Sequence, residues 1–248
     1  MFDFGGSGGG LEHMDSSRMV AYSNDGKRMA GLIFHEYMHT FNVKRIRSKP
    51  LGPFDYTKPA LTDALWWLEG VTDYYADVMR HRSGLMSRAQ FLRAMGGSLN
   101  TIRRNGNRLK VSAAEMSRRV WESRGSQGYQ MSYYSKGKAV GVLLDLAIRE
   151  GSGNVHTLDD VMTALYRECI KGPGFAEGRI RELCIAYGGA SLGPIYDVCV
   201  NQAANMPIES VLKSVGLRWT GSNIVDVQNV SAEKVQVRKG WPYQISVE

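Results

Sequence analysis

A mainly α-helical fold with short β elements at the N-terminal edge and the C-terminal end is what this 248-residue sequence predicts. Three observations carry that expectation. From about residue 26 to 215 apolar residues recur at three- and four-residue spacing, the period of a helix with one buried face. Gly151, Gly188-Gly189 and Gly216 fall where such runs stop. Strand-like alternation is confined to the two ends of the chain.

The opening residues 1–13 are rich in glycine (Gly5, Gly6, Gly8, Gly9, Gly10) and lead into Leu11-Glu12-His13. No Gly-Lys-Ser/Thr follows, which argues against a phosphate loop. A loop or edge strand that lets another backbone approach closely is the better reading. Between about 26 and 43, Ala30, Phe34, Met38 and Phe41 form a helical stripe expected to be buried, with His35 and His39 beside it. Pro50, Pro53 and Pro59 fill an irregular connector, and a second helix from about 61 to 82 carries Leu61, Leu65, Leu68, Thr72, Tyr75 and Met79. Further helical patterns run near 87–104, 112–123, 133–150, 157–171, 176–188, 192–204 and 207–215. Thr157 with Asp160 reads as a capping box in which Asp replaces the usual Glu or Gln. Beyond 218, Ile224-Val225-Asp226-Val227 and Val235-Gln236-Val237 alternate as strands do.

Composition narrows the function classes. With 43% hydrophobic and 22% charged residues the chain can bury a core, as one large domain or two small ones. No apolar run approaches the roughly 18 residues of a membrane span. Met1 to Gly10 lack the charged and apolar regions of a signal peptide, and the compartment stays open. The net charge of +7 sits in clusters such as Lys44-Arg45-Ile46-Arg47, Arg103-Arg104 and Arg118-Arg119. These lack the stacking aromatics of a nucleic-acid module, so solvated surface is expected and no nucleic-acid partner. The first cluster also suits cations just past a helix C-terminus. Cys169, Cys184 and Cys199 are too far apart for a C-x-x-C pair, and their odd number points to buried free thiols. Oligomeric state is left open.

The chemistry lies in His35-Glu36-Tyr37-Met38-His39. On a helix this H-E-x-x-H run puts two imidazoles one turn apart on one face, a spacing suited to one Zn²⁺, with the glutamate beside the open coordination position. Two surface histidines are the bland alternative, but the run is flanked by Ile33, Phe34 and Phe41, and ionisable groups in apolar surroundings need partners. Glu69 and Asp73 lie one turn apart in the most aromatic window, Leu65 to Tyr75. An ion pair with an arginine would satisfy such carboxylates. The division expected here makes Glu69 the third zinc ligand and Asp73 the acceptor of a hydrogen bond from a ligating imidazole. A water in the fourth position would be acidified towards a pKa of about 7, with Glu36 as its general base.

A longer resemblance covers these residues. His35 to Arg47, Pro53-Phe54-Asp55-Tyr56-Thr57, Leu65-Trp66 and Glu69 to Tyr75 resemble the glycyl aminopeptidase family of zinc metallopeptidases, and Gly9 to Ser17 resemble its upstream motif. The likeness is strong from residue 9 to about 82 and looser to about 216; Phe41 and Ser48 stand where the family pattern has Trp and Pro. The resemblance implies a thermolysin-like gluzincin catalytic domain holding one Zn²⁺ per chain, with a glutamate on the second helix as third ligand. In Tyr133-Tyr134-Ser135-Lys136-Gly137, similar to the Tyr-x-Lys-Gly segment of related aminopeptidases, it implies that Tyr134 donates to the oxyanion, with Tyr133 the adjacent alternative. It implies that Glu12 binds the substrate's free α-amine. The implied organisation is a catalytic domain over 1–217, from a longer multidomain protein, followed by a linker or the start of a β-rich, PDZ-like domain over 218–248. The activity implied is removal of small N-terminal residues such as Gly or Ala from a peptide substrate. A zinc endopeptidase of the same architecture and a non-catalytic zinc-containing peptide-binding module are the alternatives.

Overall fold

The computed structural model describes residues 2–4, 8–21, 23–53, 55, 57–122 and 131–243. Gly5, Gly6, Phe54 and Tyr56 of the motifs above, and the end of the helical pattern expected over 112–123, lie outside the described residues.

Strands β1 (Phe2–Phe4), β2 (Gly9–Glu12) and β3 (Ser17–Ala21) form a small sheet in the order β1-β3-β2. β3 runs parallel to β1 and antiparallel to β2, with Gly9 opposite Val20 and Glu12 opposite Ser17. The glycine-rich opening thus ends in an edge strand whose outer side has no strand partner among the described residues. Asp25 then caps α1 (Gly26–His39), its carboxylate accepting from the Lys27 N–H at 2.9 Å. Such a cap satisfies one of the free donors at a helix start. Ala30 and Met38 of the expected stripe are buried, Phe34 is half-buried, and Phe41, past the helix end, is 38% exposed.

After an irregular connector the chain enters a π-helical turn (Trp66–Val71) that runs directly into α2 (Thr72–Arg82). Then follow α3 (Arg88–Arg104), α4 (Ala113–Arg118) and α5 (Tyr133–Gly151). Residues 139–149 of α5 are all buried, the mark of a helix enclosed on every side. It packs against the π-helical turn, α2 and α3. On its other faces it meets α6 (Leu158–Cys169), α7 (Arg179–Gly188), α8 (Leu192–Tyr196) and α9 (Ile208–Ser214). Thr157 and Asp160 do form a capping box, with Asp160 Oδ2 accepting from the Thr157 N–H at 2.8 Å. The three cysteines are buried and free.

Enclosing α5 also buries Asp145 and Arg149, and these are held together. Asp145 and Arg149 form an ion pair one turn apart inside it, Tyr74 donates to Asp145 Oδ2 at 2.5 Å, and the Leu158 N–H donates to Asp145 Oδ1 at 3.0 Å. A buried carboxylate with that many donors is compensated.

Antiparallel β4 (Leu217–Trp219) and β5 (Ile224–Asp226) bear out the first strand expected after 218. The second does not form. Residues 235–237 lie within α10 (Ala232–Gly240), capped by the Ser231 side chain. An alternation of three residues is too short to fix a period; the burial that decides it is at Val237 and Trp241, four apart. Trp241 is inserted edge-on against Phe91 of α3, and its Nε1 donates to the Tyr74 hydroxyl at 2.9 Å. Residues 218–243 are therefore packed on the helical body.

Candidate metal centre

Two helices and one strand meet at the H-E-x-x-H run. His35, Glu36 and His39 project from the last turns of α1, and Glu69 from the π-helical turn. One nitrogen of each imidazole and one carboxylate oxygen of Glu69 all lie within 4.8 Å of one another.

The hydrogen bonds assign the tautomers. His35 Nδ1 is 2.8 Å from Asp73 Oδ1, and His39 Nδ1 is 2.7 Å from the Asn42 carbonyl oxygen. Carboxylate and carbonyl only accept, so each Nδ1 carries the proton and each neutral ring offers its Nε2 lone pair. Those two Nε2 atoms stand 2.9 Å apart, and Glu69 Oε2 is 3.4 Å from the first and 3.2 Å from the second. Lone pairs converging with a carboxylate are stable only around a positive charge. Glu69 Oε2 is buried and has no hydrogen bond of sound geometry, and the same holds for Glu36 Oε2. The donor set, two imidazole nitrogens and one carboxylate oxygen with a further carboxylate alongside, is that of an open zinc site. The residues fit such an ion.

Charge at the centre shows the same demand. Burial disfavours protonation of His35 and His39, but hydrogen bonds and the negative charge of Glu69, joined at His35 by Asp73, outweigh it and raise both. Burial works against ionisation of Glu69 too, yet its imidazole neighbours hold it well below the usual carboxylate range. With no other cation, protons would supply the charge that the carboxylates require. Glu36 is 4% exposed; burial, opposed by the imidazoles and reinforced by Glu12 and Glu69, raises its pKa. A carboxyl tuned upward is better matched to moving a proton near neutral pH.

The loop after α1 holds this geometry. The chain turns back through Thr40 and Phe41, so that the Asn42 carbonyl reaches His39. The fully buried Asn42 amide donates to the Trp67 carbonyl and to the Thr72 hydroxyl, both at 3.0 Å. Asn42 thus ties the end of α1 to the turn that carries Glu69. Sequence reasoning quoted Asn42 within a motif and gave it no role; its only signal was that position.

Tyr134 lies in the first turn of α5, where its N–H donates to the capping Ser132 hydroxyl at 3.1 Å. Its ring lies 6.2 Å from that of His35, and Tyr133 stacks on it at 4.8 Å. Burial and the Glu69 charge push the Tyr134 phenol well above its ordinary range, so it stays a donor. On the opposite side β2 passes so close to α1 that a methyl group on Gly10 would overlap the Glu36 carboxylate. Glu12, two residues on, is 22% exposed and has the Lys44 ammonium 3.2 Å from its Oε1. The structure therefore gathers His35, Glu36, His39, Glu69, Asp73 and Tyr134 around one point, with Glu12 at its rim beside Lys44.

Comparison with known proteins gives a family match and structural matches. Residues 28–140 match the M61 glycyl aminopeptidase family model. Among solved structures, an aminopeptidase N family protein from Idiomarina loihiensis superposes with a TM-score of 0.78 at 26% sequence identity, over 88% of this chain. The present chain spans only 40% of the length of that protein. No curated protein sequence matches. Among the described residues no helix is long and apolar enough to cross a membrane.

Proposed function

We propose that this chain, whose residues 28–140 match the glycyl aminopeptidase family model, is a zinc-dependent aminopeptidase that removes small N-terminal residues such as Gly or Ala. The observation that carries the reading is the meeting of two imidazole lone pairs with an unsatisfied Glu69 oxygen, beside a second buried carboxylate, Glu36, whose Oε2 is also unsatisfied. His35, His39 and Glu69 would hold one Zn²⁺, and Asp73 keeps His35 in the ligating tautomer. When bound, the ion supplies Lewis acidity to a water and to the scissile carbonyl.

The protein's own groups do the rest. Glu36 takes a proton from the attacking water and delivers it to the leaving nitrogen, a task its raised pKa suits. Tyr134 keeps its phenolic proton and donates to the carbonyl oxygen as charge develops there; one such donor contributes about 2.7–4 kcal/mol. The open edge of β2 offers backbone donors and acceptors to an extended peptide. Glu12, on the same strand, accepts from the substrate's α-ammonium.

One observation favours a second reading, an endopeptidase of the same architecture: Lys44 already sits on Glu12. The two separate on alanine 4-nitroanilide and its N-acetyl form. The aminopeptidase cleaves only the free amine, whereas equal rates support the endopeptidase. Glu36→Gln should abolish hydrolysis and keep zinc; no hydrolysis by the zinc-loaded wild type would overturn the enzyme reading of this chain.

A further inference from the structure

The partner of Glu12 carries information about the amine subsite. Lys44 comes from the loop past α1, and its backbone N–H donates to the His39 carbonyl at 3.1 Å, so its position is tied to the turn that carries a candidate ligand. Its ammonium crosses to β2 and stands 3.2 Å from Glu12 Oε1. A lysine ammonium and a peptide α-ammonium are chemically alike, each a compact cation with three N–H donors. The structure thus shows Glu12 holding the kind of group a peptide N-terminus would present. The pair is long for a charge-assisted bond, and its side chains are 27% and 22% exposed. A solvated pair of this type is weak and exchangeable.

We propose that Lys44 is a resident stand-in for the substrate's α-ammonium: it occupies Glu12 in the resting chain and yields that carboxylate to an incoming free amine. This rests on the amine-binding role proposed for Glu12 and adds a consequence of its own. Two ammonium groups cannot share one carboxylate without repulsion, so Lys44 weakens the binding of every free-amine ligand. A neutral, N-acylated end has no charge with which to displace it. Lys44 therefore sets how tightly a peptide terminus is held.

The test is calorimetric titration of the zinc-loaded chain with alaninamide and with N-acetylalaninamide, which needs no turnover. Lys44→Met and Lys44→Gln should each tighten alaninamide binding about 3- to 10-fold and leave the acetylated ligand unchanged. Loss of a merely structural contact would weaken binding instead. Unchanged or weaker alaninamide binding in both Lys44 variants, at wild-type melting temperature, overturns the stand-in. Glu12→Gln separates the two ideas. It should weaken alaninamide at least about tenfold; if it does not, or if the wild type does not bind alaninamide, the amine-binding role falls and the stand-in with it.

Discussion

Gly70 and Gly137 are in direct backbone contact: a methyl group built on Gly70 would lie 2.5 Å from the Gly137 Cα, and one on Gly137 would overlap the Trp66 carbonyl oxygen. Gly70 follows Glu69, and Gly137 lies one turn after Tyr134 on α5. The contact therefore sets the spacing between the candidate third ligand and the candidate oxyanion donor. Close backbone approach, rather than unusual dihedral angles, is what calls for glycine at both places.

Gly137→Ala should force α5 away from the π-helical turn. Overpacking of this kind costs about 1–3 kcal/mol, and a small misplacement at a reacting centre can cost on the order of a hundredfold in rate. Gly141→Ala, whose methyl would meet only the Tyr74 side chain at 3.2 Å and beyond, is the milder comparison. The kcat on alanine 4-nitroanilide should fall far more for Gly137→Ala than for Gly141→Ala; equal losses would remove the spacing argument.

Asp73→Ala leaves His35 Nδ1 without its acceptor at 2.8 Å, freeing the ring to rotate or change tautomer. Loss of such a supporting carboxylate lowers metal affinity about 10- to 100-fold. Competition with a chromophoric zinc chelator measures this directly. Affinity within twofold of wild type would mean that Asp73 does not orient His35.

Lys136 gives a pH signature away from the ligands. It is fully buried with its ammonium on the Val111 carbonyl at 2.7 Å, and burial pulls its pKa from 10.5 down to about 8. Between those values the unfolded chain binds the proton that the folded chain has lost, so stability rises with pH through the window. Below about pH 8 both states are charged and the folded one bears the full cost. Lys136→Met should therefore stabilise the protein at pH 7 by on the order of 1–3 kcal/mol, an advantage that shrinks towards pH 10.5. Urea unfolding of both proteins from pH 7 to 10.5 reads the difference, and a pH-independent gap contradicts the assignment.

Trp241→Ala tests the attachment of the C-terminal segment. The indole is 1% exposed, packs on Phe91 and donates to Tyr74. Its truncation should cost about 3–5 kcal/mol and lower the melting temperature by about 10 °C. A shift below about 3 °C would show that residues after 217 are not part of the cooperative unit.

What the sequence made legible follows from the range of each interaction. The helices were readable because a buried face repeats locally, as in α3 and α6, and caps such as Thr157 with Asp160 act over three residues. The centre was readable because ionisable groups among apolar ones are conspicuous, as with His35, His39 and Glu69. Asn42, Lys44 and Gly137 were not, since each acts on a partner distant in sequence and is chemically ordinary in its own neighbourhood. α10 was misread because Val235-Gln236-Val237 satisfies two periods, and the residue that decides between them, Trp241, lies just beyond. The π-helical turn was invisible for a similar reason: it departs from an α-helix by a single residue.

That single residue has a consequence for how the site could be lost. A π-helical turn closes i→i+5 bonds where an α-helix closes i→i+4, so it accommodates one residue more without disturbing the phase of the helix that follows. Deleting Trp67 or Leu68 would let the turn relax to α geometry while α2 kept its packing. Glu69 lies inside that turn, so its carboxylate would lose the direction that points it at both imidazoles. Such a deletion would leave a folded protein with an intact H-E-x-x-H run and no third ligand, an inactive form that inspection of the motif alone would pass as whole.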